Sequence, residues 1–93
     1  MPYSIFVSEE AETDISIAYE WYEQQKQGLG DEFIHAIEHS FETILSNPGY
    51  YGILKKKTKR YIVKRFPYLV IFVIHKTQIR ILSVFHTHRK PTT

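Results

Sequence analysis

The sequence predicts an α+β domain in the order β-α-α-β-β-β, with a helical hairpin laid on one face of an antiparallel sheet. Three observations predict it. The last third of the chain, Arg60 to Pro91, is rich in β-branched and aromatic residues in alternating or unbroken apolar runs. Upstream, two stretches repeat apolar residues at spacings of three and four. Only a short glycine-containing segment separates those two stretches, so the helices they predict must run antiparallel.

The first element is a short strand, Tyr3 to Val7, which stops at Ser8. Ser8 can cap a helix whose first turn carries Glu9 and Glu10 against the positive end of its dipole. Ala11, Ile15, Ala18 and Tyr22 then mark one face of a helix of about 18 residues, with Ile17 and Trp21 widening the apolar arc. Gly28 suits a left-handed position after that helix, and Leu29 the apolar contact that follows it. A second helix starts at Gly30-Asp31-Glu32 and turns Phe33, Ile34, Ile37, Phe41, Ile44 and Leu45 to one side, leaving His35, Glu38 and Glu42 on another. Asn47 before Pro48 is pushed out of the helical region and ends it.

Residues 49–59 lack periodicity, and the lysine run within them predicts a loop or an edge beside the sheet. Three strands follow. Arg60 to Arg65 alternates, and Pro67 marks a corner because it cannot donate to a ladder. Leu69 to Ile74 is apolar throughout, which predicts a central strand covered on both faces. His75-Lys76-Thr77-Gln78 makes a tight hairpin into Ile79 to His86, with Ile79, Ile81, Ser83 and Phe85 on one face and Arg80, Leu82, Val84 and His86 on the other. These three form an antiparallel meander. Periodicity does not say where the first strand joins it.

Ninety-three residues are enough for a single domain, residues 1–93, that buries roughly 60–70% of its unfolded surface. The chain has no cysteine, no basic-then-apolar leader pattern and no apolar run near the roughly 20 residues of a membrane span, so the expectation is a soluble cytoplasmic protein with no membrane partner. The net charge of +2 conceals a strong division. All ten acidic residues precede residue 43, where Lys26 is the only cation, while the other eleven Lys and Arg follow residue 54; the halves therefore carry −9 and +11. Acids solvating helices and lysines guarding strand edges account for part of this. Excluding every carboxylate from half a chain points further, to a basic surface that meets an acidic or polyanionic partner.

Read in order, the chain resembles the RelE/ParE superfamily of bacterial type II toxins. The residues that carry the likeness are Ala11, Asp14 and Ile15; Trp21-Tyr22; Gly28-Leu29-Gly30 before Phe33; Asn47-Pro48; Arg60; Arg65-Phe66-Pro67-Tyr68; and Val84, His86, Arg89 and Pro91. The resemblance implies a small growth inhibitor held inactive by a cognate antitoxin, with operator DNA bound only through that antitoxin and no cofactor. It leaves three activities open: DNA gyrase inhibition as in the ParE branch, which the Trp-Tyr, Gly-Leu-Gly and Phe-Pro-Tyr elements resemble more; ribosome-dependent mRNA cleavage as in the RelE branch; and antitoxin binding without toxicity.

Cleaving RNA through its 2′-hydroxyl needs a base, an acid and cations for the phosphorane. With no carboxylate after Glu42, a nuclease of this kind would draw its base and acid from His86, His88, a tyrosine or a lysine with a lowered pKa, and would hold phosphate with Arg60, Arg65 and Arg89. The alternative is that His86 binds neighbouring backbone and Arg89 pairs with a helical acid. A target-binding surface would draw on Lys55, Lys56, Lys57, Lys59, Arg60, Arg65 and Arg89, with Tyr50 and Tyr51 placed to stack on a base. His35 and His39 have helical metal-ligand spacing but lack a third ligand, so no metal is expected and they read as a solvated face; His75 reads as a surface residue. Trp21, Tyr22 and Phe33 read as core.

Overall fold

Strand β1 (Ser4–Val7) hands over directly to helix α1 (Glu9–Gln25), and α2 (Leu29–Ser46) returns antiparallel to it. After a short 3-10 turn, Pro48–Tyr50, come β2 (Ile53–Lys55), β3 (Thr58–Ile62), β4 (Tyr68–His75) and β5 (Gln78–His86). The computed structural model describes residues 3–50, 53–55 and 57–88, with side chains from 53–55 excluded. The strands form one sheet in the order β1-β5-β4-β3-β2. The predicted meander is present, with β4 in the middle, and both helices lie on one face. The first strand joins parallel to β5, Ser4 opposite Gln78 and Val7 opposite Ile81, which makes the sheet mixed. The aperiodic segment contributes an edge strand, β2, antiparallel to β3.

Local chemistry explains the element boundaries. The Ser8 hydroxyl accepts the Ala11 N–H at 3.1 Å and starts α1. Between the helices, Gly28 adopts φ 90°, the left-handed conformation that its sequence position predicts, although it serves as the N-cap of α2. Glu23 bridges this turn: its two carboxylate oxygens accept the N–H groups of Gly28 and Gly30, each at 3.0 Å. These are first-turn donors that no helical carbonyl can reach. Helix α2 thus begins at Leu29, one residue before the predicted start.

The core is an aromatic cluster joined to an aliphatic layer. Tyr22 lies 5.3 Å from Phe33 and 5.0 Å from Phe66, and Phe33 lies 5.1 Å from Tyr68, in stacked and edge-to-face contacts. Val70, Phe72, Ile79, Ile81 and Val84 continue it beneath the helices. Two expectations about α1 are corrected here. Ile17 and Trp21 are 64% and 42% exposed, because the apolar arc that meets the sheet is only wide enough for Ala11, Ile15, Ala18 and Tyr22. Trp21 meets the Tyr22 ring edge-to-face, at 5.1 Å.

The last strand also departs from simple alternation. Ile71 pairs with Ser83 but Phe72 pairs with Ile81, so Leu82 is an extra residue in β5. Such a bulge exchanges the two faces of a strand beyond it. Ile79, Ile81 and Val84 therefore share the helix side, and His86, opposite Tyr68, shares it too. Strand β3 ends at Ile62, short of the predicted Arg65, since Phe66 turns into the core and closes an irregular turn. Coverage of β4 is unequal: Tyr68, Val70 and Phe72 are buried under the helices, and on the open face Ile71 is buried while Leu69 and Val73 are half-buried.

Candidate functional site

The sheet face opposite the helices follows from the pairing. Arg60 and Ile62 of β3 flank Leu69 and Ile71 of β4, and on the far side stand Phe85, Ser83 and Arg80 of β5, then Phe6 of β1. Cross-strand partners share a face, which is what joins these residues. Ile62, Phe6 and Leu82 are 66%, 53% and 37% exposed on this surface. Arg60 lies beside Ile71 and Arg80 beside Val73, so two guanidinium groups flank the central strand diagonally. Arg80 is held in place: its Nε donates to Gln78 Oε1 at 3.0 Å, and its guanidinium sits 5.8 Å from the Phe6 ring centroid. In the sequence Arg80 is marked only by its place in the alternation of a strand.

The four residues considered for nuclease chemistry do not gather on one face. Arg60 is exposed on the open face. His86 is half-buried on the helix side, its ring 5.1 Å from Tyr68. His88 stays near it, ring to ring at 5.9 Å, because the chain bends after β5 and the His88 N–H donates to His86 Nδ1 at 3.0 Å. This backbone contact is the structural alternative set out for His86 above. Arg65 sits in the β3–β4 turn with φ 76°, a left-handed conformation uncommon for a side-chain-bearing residue, and its Nη2 donates to Glu32 Oε1 of α2 at 2.9 Å.

Of the target-binding set, Lys57 and Tyr50 are exposed, Tyr50 at 75%. Lys59 stands opposite Phe72 and so belongs to the helix side at the β2 end of the sheet. Lys55 lies in β2, where only the backbone is described, and Tyr51, Lys56 and Arg89 lie outside the described residues. His75 is exposed, as are His35 and His39.

Electrostatically the molecule is divided as its sequence is. Every carboxylate lies on α1 or α2. The Tyr19 phenol registers this field: Asp31 and Glu23 push its pKa up, with smaller contributions from desolvation and Glu20. Asp14 is also raised, first by burial and then by Glu10, against the lowering effect of the N–H it accepts from Val84. No local signal marks that contact, whose partners are 70 residues apart.

Residues 5–91 match the family model described as the ParE toxin of type II toxin-antitoxin system, parDE. The fold is similar to a solved structure described as the chromosomal ParDE TA system from P. aeruginosa, with 17% identity and a TM-score of 0.71, covering 92% of this chain and 97% of that one. A search of curated proteins finds no match. No helix among the described residues is long and apolar enough to cross a membrane. With a family match that runs from the first strand to beyond the last, the chain belongs to the ParE toxin family of type II toxin–antitoxin systems.

Proposed function

We propose that this chain is a toxin that arrests growth when free of its antitoxin, and that it acts in the cytoplasm by binding DNA gyrase through its open sheet face. The observation that carries the reading is the juxtaposition on that face of Arg60 and Arg80 with the exposed Ile62, Phe6 and Leu82. Arginine beside desolvatable apolar surface is the composition of a protein-binding hot spot. Lys57 and Tyr50 are exposed, and with Lys55, Lys56, Lys59, Tyr51, Arg65 and Arg89 they complete the basic half by sequence. The antitoxin, on this reading, is the partner that neutralises the same basic half.

Cleavage of RNA through its 2′-hydroxyl receives less support. A general base, an acid and a phosphate clamp must come within hydrogen-bond reach of one phosphate. Arg60 and His86 stand on opposite faces, and Arg65 is turned toward α2. Controlled expression in a bacterium, followed with a supercoiling assay on the purified chain, tests the proposal. Growth arrest with inhibited supercoiling is the expected result. Arrest with normal supercoiling and codon-positioned mRNA cuts would favour the RelE-type activity, and unimpaired growth would favour an antitoxin-binding module without toxicity.

A further inference from the structure

We infer that a cleft between α2 and the β3–β4 turn binds a single carboxylate side chain presented by a peptide segment of a protein partner. The cleft, of about 360 Å³, is lined by Glu32, His35, Ala36, His39, Lys64 and Arg65. That volume lies at the small end for ligand sites. Four nitrogen-bearing side chains thus converge on one opening, although α2 itself carries Asp31, Glu32, Glu38 and Glu42 and no Lys or Arg. His35 and His39 are one helical turn apart and overlook the same space.

The turn that supplies the cations is built in advance. Phe66 is buried in the aromatic cluster, the Val63 N–H donates to the Tyr68 carbonyl at 3.0 Å, and the Tyr68 N–H donates to the Phe66 carbonyl at 2.8 Å. With its two sides fixed in this way, the turn holds Arg65 at φ 76° and directs its side chain toward α2. Holding a non-glycine residue there is strained, and such strain tends to persist where a side chain must be aimed. Glu32 takes one bond from Nη2 and steadies the guanidinium, whose Nε and Nη1 can still donate.

The charge balance selects the occupant. A carboxylate matches the guanidinium fork in a charge-assisted pair, and imidazole and ammonium donors lie beside it. A nucleic-acid strand would bring successive phosphates within a Debye length, roughly 8–10 Å, of the α2 carboxylates, and is disfavoured. Ala36 and the aliphatic stems of Lys64 and Arg65 offer apolar contact on either side of the carboxylate. One Glu or Asp between apolar residues meets all three conditions. The inference does not rest on the gyrase reading, because the open sheet face lies on the other side of the molecule.

The test is an NMR titration of the labelled full chain with three probes: acetyl-Leu-Glu-Leu-amide, acetyl-Leu-Gln-Leu-amide and inorganic phosphate. The Glu peptide should shift the ring signals of His35 and His39 and the Arg65 side-chain signal, leave His75 unmoved, and bind about tenfold more tightly than the Gln peptide, since a charge-assisted bond is at stake. Arg65→Gln should weaken the Glu peptide to the level of the Gln peptide. Lys64→Gln, at an exposed position with no core contact, should weaken it in the same direction with an unchanged backbone spectrum. Equal binding of the two peptides, phosphate shifts as large as those of the Glu peptide, or no shift at His35 and His39 would overturn the inference.

Discussion

The carboxylate of Asp14 in α1 accepts the backbone N–H of Val84 in β5 at 2.9 Å. The contact secures the strand at the point where it needs a partner. Strand β1 pairs with β5 only as far as Val7 opposite Ile81, and the bulge at Leu82 follows at once. Ser8 donates its N–H to the Ile81 carbonyl and its hydroxyl to the Leu82 carbonyl, each at 3.0 Å, and Asp14 satisfies the next free donor. The first turns of α1 thereby replace the missing strand and hold the phase change that places Val84 and His86 under the helices.

Replacing Asp14 with alanine should leave the Val84 N–H without its partner and cost about 1–3 kcal/mol of stability. Asp14→Asn retains a carbonyl oxygen and should lose much less. Urea unfolding of both variants measures the difference. If the alanine and asparagine variants unfold together, the clamp has no energetic role.

The raised pKa of Asp14 gives a pH dependence with a definite sign. Burial makes its folded carboxyl hold a proton more tightly than the unfolded chain does. Between the ordinary carboxylate value and the raised one, the folded state binds more protons, so its stability falls as pH rises. Wild type should therefore gain stability relative to Asp14→Asn as pH is lowered through that window. A difference that stays constant across it would contradict the assignment.

In the core, Phe33→Ala should cost about 3–5 kcal/mol, as expected for a fully buried ring removed from a packed cluster. Trp21→Ala should cost about 1 kcal/mol, since Trp21 is 42% exposed and meets the cluster at one edge. Thermal or chemical unfolding compares them directly. Equal losses would show that Trp21 belongs to the core after all.

Glu23→Ala should remove both bonds that cap α2 and destabilise the domain by about 1–2 kcal/mol. Glu23→Gln, with one acceptor oxygen, should recover roughly half of that loss. Hydrogen exchange at Gly28 and Gly30 would report the same order residue by residue. Unchanged protection in the alanine variant would show that the turn is held by other contacts.

These contacts also explain which features could be read from the sequence. The residues that carry the family resemblance are mostly structural: Tyr22, Phe33, Phe66 and Tyr68 are one aromatic cluster, Gly28 and Gly30 form the helical turn, and Asp14 clamps the bulge. Local periodicity and capping chemistry revealed the helices and the meander because those signals lie within a few residues of one another. The bulge at Leu82 was not visible, since an inserted residue in a strand leaves no mark on composition and its stabilising partners lie far away in α1. The exposure of Trp21 and Ile17 was hidden for a related reason: a helix periodicity shows which residues share an arc, and the sheet decides how much of that arc is covered. Arg60 and Arg65 look alike in sequence, yet only pairing and the turn after β3 reveal that one faces open sheet and the other reaches α2.

We propose the open sheet face as the target-binding surface. The most direct measurement is inhibition of gyrase supercoiling by the purified wild-type chain and by the double variant Arg60→Glu, Arg80→Glu, with circular dichroism to establish that both are folded. Both side chains point away from the core, so the variant should fold. It should also lose at least about tenfold in inhibition, because reversing two interface charges adds repulsion to lost attraction. A folded double variant that inhibits as strongly as wild type would contradict the claim.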